Sequence, residues 1–278
     1  GVKGIAIGHT VVANGQDALA VGTNSQAITQ GSAFGRLANA GNSATALGNQ
    51  ATASGAKSLA AGNQATASGE SSVAAGDGAN ATSQASVAIG KNSKAQGEGT
   101  VALGAGAVTS ADTGAMALGG NASGIYSVAV VSGSQTKGNY AISMGYNAIS
   151  EDSGIAQGLN ANASDWAISL GRDSKALGRN GVTLGASATA KNAYDVALGS
   201  GSITEDRHSL PSVKVGGVEV GNNGVSNGNG VVAVGRNDSA RQIQFVSAGA
   251  ISATSTDAIN GSQLYRVIGV LDLSLIHI

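Results

Sequence analysis

The sequence predicts an all-β fold, a parallel β-roll with two short strands in each coil. Three observations predict it. A phrase of the kind Val-Ala-Ile-Gly returns about every 14 residues, large aliphatics alternate with small residues inside it, and glycine, at 44 of 278 residues, is abundant while aromatics make up only 3%.

Aligned on the closing glycine, the copies end at Gly8, Gly22, Gly35, Gly48, Gly62, Gly76, Gly90, Gly104, Gly119, Gly145, Gly158, Gly171, Gly185 and Gly199. Steps are mostly 14 residues, some are 13, and one is 15. Between Gly119 and Gly145 lies one more copy, Ser-Val-Ala-Val at 127 to 130, with Val131 in the glycine place. Three and one residues before the glycine stand pairs such as Val87 and Ile89, Val101 and Leu103, Ile168 and Leu170, and Val196 and Leu198, with Ala88 or Ala102 between. Alternation at period two is the mark of a strand whose two faces differ in size. Turn formers follow (Lys91-Asn92, Asp173-Ser174), then a short small-residue segment such as residues 93 to 97. One copy is therefore strand, turn, short strand, turn, and closes one coil.

A coil of this length is too short for a three-sided β-helix, so a flattened two-sided roll is expected. About 15 coils stacked at ~4.8 Å make a rod of roughly 70 Å. So narrow an interior admits only Ala, Ser and Gly, which places the alanine row inside and turns the Val, Ile and Leu rows outward. A continuous aliphatic stripe is unstable in water. Oligomerisation removes it, and three chains meeting on one axis is the compact arrangement, with Val87, Ile89, Val101, Leu103, Ile168, Leu170, Val196 and Leu198 in the trimer core.

Composition excludes several functions. The net charge is −1 with no long run of either sign, which gives no footprint for nucleic acid. Cysteine is absent, so disulfides and Cys-ligated zinc are out. No stretch reaches the ~18 apolar residues of a membrane span. His9, His208 and His277 have no partner spacing for a triad or metal site, and Asp17, Asp77, Asp112 and Asp173 sit in turns, where Asp bends backbone. No catalytic residue, metal or cofactor is expected. Calcium-binding rolls need Asp-rich nonapeptides and ice-binding rods a regular Thr array, and neither is present.

Residues 85 to 93, Ala-Ser-Val-Ala-Ile-Gly-Lys-Asn-Ser, resemble the head motif Asn-Ser-Val-Ala-Ile-Gly-x-x-Ser of the trimeric autotransporter adhesins with a YadA-like head, Ala85 replacing the Asn. A second stretch, 241 to 249 with 255 to 265, resembles the neck of that family. The resemblance implies a left-handed roll, a homotrimer, a neck that steps down to a coiled coil, and a virulence-associated adhesin at the bacterial surface. It implies attachment to host extracellular matrix proteins of the collagen, fibronectin or laminin class or to cell receptors, with anchoring in a Gram-negative outer membrane by a domain outside this chain. A structural spacer with its binding site elsewhere is the alternative. Leu264, Ile268, Leu271, Leu275 and Ile278 alternate steps of four and three, a heptad seam.

The chain thus divides into a roll head at 1–202, an insertion at 203–230, a neck at 231–263, and at 264–278 the start of a stalk or an appended tail. In the insertion, 213–215 and 218–220 read as a hairpin around Gly216-Gly217, near Pro211 and the charged residues 205–207. By spacing and resemblance, Arg241 and Asp257 are expected to pair between chains, while Asn260 and Gln263 satisfy backbone groups freed at the change of diameter. Trp166, Tyr126, Tyr140, Tyr146 and Tyr194 fall in the second half of the head and form the candidate ligand surface.

Overall fold

The computed structural model describes residues 3–207, 213–215, 218–220, 230–252 and 254–276. Expectations that rest on His208, Pro211, Gly216-Gly217, His277 and Ile278 lie outside them.

Each copy of the phrase forms a three-residue strand, from Ile5–Ile7 through Val87–Ile89 to Val196–Leu198, and each following segment a two-residue strand, from Val12–Ala13 to Thr189–Ala190. The three-residue strands stack into one parallel sheet and the two-residue strands into a second of 14 strands, both in chain order. Register is regular, with Val87 beside Val101, Ala88 beside Ala102 and Ile89 beside Leu103. Coils are joined by bonds such as Val87 N to Thr100 O at 2.9 Å and Gly62 N to Leu47 O at 2.8 Å.

The interior is an alanine column. Ala60, Ala74, Ala88 and Ala102 from the long-strand sheet and Ala53, Ala67, Ala81 and Ala95 from the other are fully buried. The expected limit to Ala, Ser and Gly is too narrow, because Thr100, Thr109, Thr136 and Thr183 are buried as well. Their hydroxyls have partners: Thr136 Oγ1 donates to Ser127 Oγ at 2.8 Å and Thr183 Oγ1 to Ser169 Oγ at 3.1 Å. A buried hydroxyl is tolerated once it is hydrogen-bonded.

Turns are tied by serine. Ser72 Oγ donates to Gly69 O at 2.7 Å and Ser93 Oγ to Gly90 O at 2.9 Å, each closing on the carbonyl three residues back. Along one edge the side-chain amides form a ladder, Asn49 Nδ2 to Asn63 Oδ1 at 2.9 Å and Asn63 Nδ2 to Asp77 Oδ1 at 2.7 Å.

The long-strand sheet does not stop at Leu198. Val232–Ala233 returns as its 16th strand, pairing in parallel with Val196 and Ala197. The roll therefore takes residues that the sequence division gives to the neck from 231. Between them, Val213–Val215 and Val218–Val220 pair antiparallel. A helix spans Gly261–Ile276, and no helix among the described residues is long and apolar enough to cross a membrane.

Candidate functional site

Three surfaces carry the residues singled out by sequence. The first is the outer face of the long-strand sheet. Alternation turns its first and third strand positions outward, so Val87, Val101, Ile168 and Val196 form one row and Ile89, Leu103, Leu170 and Leu198 the next. All eight keep solvent contact in one chain, Ile89 and Leu198 being 43% and 44% exposed. The outward row of the short-strand sheet is mostly polar instead, running Gln26, Asn39, Thr52, Thr66, Asn80, Lys94, with Val12, Val108 and Ile149 as apolar exceptions. The roll is amphipathic, with one apolar and one polar broad face.

The second surface is a turn edge. Tyr126, Tyr140, Trp166 and Tyr194 each stand five residues before the closing position of their coil (Val131, Gly145, Gly171 and Gly199), at the turn that leads into the long strand. They share a left-handed backbone, with φ of 53°, 56°, 57° and 66°. The Tyr126 and Tyr140 rings stack with centroids 5.9 Å apart, and the Arg179 guanidinium lies 4.1 Å from the centre of the Trp166 ring. The four side chains are 46–62% exposed. Tyr146, one residue after Gly145, lies on the opposite turn, so the structure brings four of the five aromatics to one edge. The shared register was present in the sequence as a constant offset from the coil-closing position.

The third surface is the neck. Arg241 Nη1 donates to Ser202 Oγ at 2.8 Å and to Val234 O at 2.7 Å, and Nη2 to Ser200 O, so the guanidinium seals the last coil of its own chain. Asp257 Oδ2 accepts from Ala250 N at 3.0 Å, and no ion pair joins Arg241 to Asp257 among the described residues. Asn260 caps the helix: its Oδ1 accepts from Gln263 N at 3.1 Å while Gln263 Oε1 accepts from Asn260 N at 3.2 Å, a reciprocal capping box. Gln263 also grips Gly249, accepting from its N at 3.0 Å and donating to its O at 2.7 Å. Around this scaffold Ile243, Phe245, Ile251 and Ile259 are exposed, Phe245 completely.

Sequence reasoning missed Asp195, the one buried carboxylate among the described residues. Its Oδ1 accepts from Val231 N at 2.9 Å, and its Oδ2 from Asn192 N at 2.9 Å and Thr204 Oγ1 at 2.6 Å. It pins both ends of the excursion between 204 and 231. No group of three or more His, Cys, Asp or Glu side chains suited to a metal ion occurs among the described residues.

The chain is similar to an autotransporter adhesin of Brucella suis biovar 1 (strain 1330), BtaE, at 35% identity over 92 residues, which is 33% of this chain and only 12% of that protein. Among solved structures it is similar to the C-terminal YadA-like domain of a Burkholderia pseudomallei protein, at 42% identity over 36% of this chain and 46% of the other, with a TM-score of 0.34. It is also similar to the collagen-binding domain of the Yersinia adhesin YadA, at 28% identity over 66% of this chain and 83% of that one, with a TM-score of 0.47. The profile for the YadA head domain repeat (2 copies) matches overlapping segments that run from residue 1 to 35, from 40 to 148 and from 176 to 202. With more than half of its length covered by that profile, the chain belongs to the YadA head-domain family.

Proposed function

We propose that the chain is the head and neck of a homotrimeric surface adhesin, displayed on a Gram-negative bacterium and binding host extracellular matrix proteins or cell receptors. The observation that carries it is the amphipathic roll. A face of two largely aliphatic rows, interrupted at Ser32, Thr45 and Gln157, runs along the rod beside a mostly polar face, and a free chain would leave it wet. Family membership, the likeness to an adhesin and the exposed neck side chains support the same reading. Three chains around one axis cover the stripes and, through the neck, bring three helices together. The short-strand face and the turn edges then remain for contact, each repeated along the rod and in three copies. Shallow sites multiplied in this way bind by avidity and require no chemical step.

The test has two readouts. Light scattering after size exclusion should give about 80 kDa, three times the chain mass of 26.7 kDa. Surfaces coated with collagen, fibronectin or laminin should retain the trimer better than albumin does. A trimer that adheres to none of these, nor to host cells, would return the segment to the role of spacer.

A further inference from the structure

We propose that the aromatic edge formed by Tyr126, Tyr140, Trp166 and Tyr194 is a docking site for a single proline-rich strand in the polyproline II conformation. The inference rests on the adhesin reading and gives it a site and a ligand class.

The starting point is a change of residue type at one turn position. In the first eight full coils the position five residues before the closing glycine holds Asp17, Gln30, Ser43, Lys57, Ser71, Ala85, Gly99 and Gly114, all small or flexible. From Tyr126 onward, bulky rings take it in four coils of six, with Ser153 and Asn180 between. The backbone at this position is left-handed in every one of these coils, whatever residue it holds, so the turn itself does not call for a ring. A ring buried at this position would be accounted for by packing, but these rings remain about half exposed. Exposed rings gathered on one edge, where the turn geometry does not require them, point to a contact surface.

Spacing identifies the ligand. Parallel coils are ~4.8 Å apart, so Tyr140, Trp166 and Tyr194, on every second coil, recur about every 9.6 Å. A polyproline II strand has three residues per turn at ~3.1 Å each, so every third side chain faces the same way at about 9.3 Å. Prolines at every third position of one extended strand therefore meet successive rings and drift by only about 0.3 Å per repeat. Tyr126, stacked on Tyr140, extends the platform at one end. The backbone carbonyls of such a strand are not bonded internally. Tyrosine hydroxyls, the indole N–H and the Arg179 guanidinium beside Trp166 supply donors along the same line. Aromatic grooves that bind proline-rich strands use this combination of ring contacts and carbonyl hydrogen bonds. The row lies on a turn edge and not on the aliphatic sheet face, so the proposal places it outside the trimer axis.

Trp166 is the only tryptophan, and its fluorescence reports the site directly. The trimer is titrated with a peptide of Pro-Ala-Gln repeats and, in parallel, with Pro-Ala-Gln-Gln repeats of equal length. The every-third-proline peptide should shift the emission saturably, and the mis-spaced peptide should bind about tenfold more weakly. Tyr140→Ser and Tyr194→Ser should each weaken the first titration severalfold at unchanged molar mass. Equal responses to the two peptides, or none, overturn the site. So does a response only to a triple-helical Gly-Pro-Pro peptide, which would assign the row to a three-stranded ligand. A fall in molar mass for Tyr140→Ser would make the row a contact between copies and overturn it too. Attachment of the wild-type trimer to matrix-coated surfaces is measured alongside. Attachment without any peptide response removes this site and leaves the adhesin reading standing, whereas absence of attachment strikes the adhesin reading itself.

Discussion

A methyl group added at Gly62 would lie 2.4 Å from Gly76 O, and the same holds along the column, with Gly48 facing Gly62 O at 2.4 Å and Gly35 facing Gly48 O at 2.3 Å. The backbone there also has φ of 142°, which side chains rarely adopt. The coil glycines are thus set by two causes, conformation and the approach of the next coil. Gly62→Ala should destabilise the head by roughly 1–3 kcal/mol from strain alone, with the steric displacement of the next coil added to it. A thermal midpoint equal to wild type would show that the coils are not so tightly stacked. Val131 is the opposite case: a β-branched residue at φ of 84° in the glycine place. Val131→Gly should relieve strain and raise the stability of the head by about 1 kcal/mol, after allowance for the greater freedom of glycine in the unfolded chain. A lower midpoint would mean that the valine side chain makes a contact that outweighs its strain.

At the scale of elements, the strands follow from a two-residue alternation repeated with near-constant spacing, and so they were legible. The last one was not. Val232-Ala233-Val234-Gly235 repeats the phrase, but it stands 36 residues after Gly199, and an interrupted period hides its members. Asp195 was hidden for a related reason: it occupies the place held by Ser58, Ser72 and Ser86 in other coils, and only the return of Val231 reveals its task. The aromatic edge was half legible. The rings were visible as a group in the second half of the head, but Ser153 and Asn180 interrupt them, so their common register emerges only when the coils are stacked. At the neck, Gln263 joins two elements, starting the helix and fixing Gly249 beside it. Gln263→Ala removes three hydrogen bonds and should cost about 1–2 kcal/mol. Amide exchange should quicken in the first turn of the helix and at Gly249, and unchanged exchange there would separate the cap from the neck's stability.

Assembly belongs to the whole molecule. Repeat rods gain stability from each neighbouring coil, so the roll itself needs no second chain: its alanine column is buried within one chain and its ladders close along one chain. What one chain leaves unsolved is the aliphatic face and the neck. This separation predicts that assembly can be broken while the roll persists. Ile168→Asp places a carboxylate in the apolar row, and in a trimer it places three of them near one axis. Desolvating an unpaired carboxylate costs several kcal/mol, and mutual repulsion of the three adds to it. Thr66→Asp makes the same chemical change on the polar short-strand face, where the charge stays in water. Ile168→Asp should therefore lower the molar mass from about 80 kDa towards the 26.7 kDa of one chain while the β-sheet circular dichroism is kept, and Thr66→Asp should leave the mass unchanged. If both variants remain at the trimer mass with wild-type melting, the aliphatic rows do not meet at the axis, and the face that holds the chains together must be sought on the turn edges or in the neck.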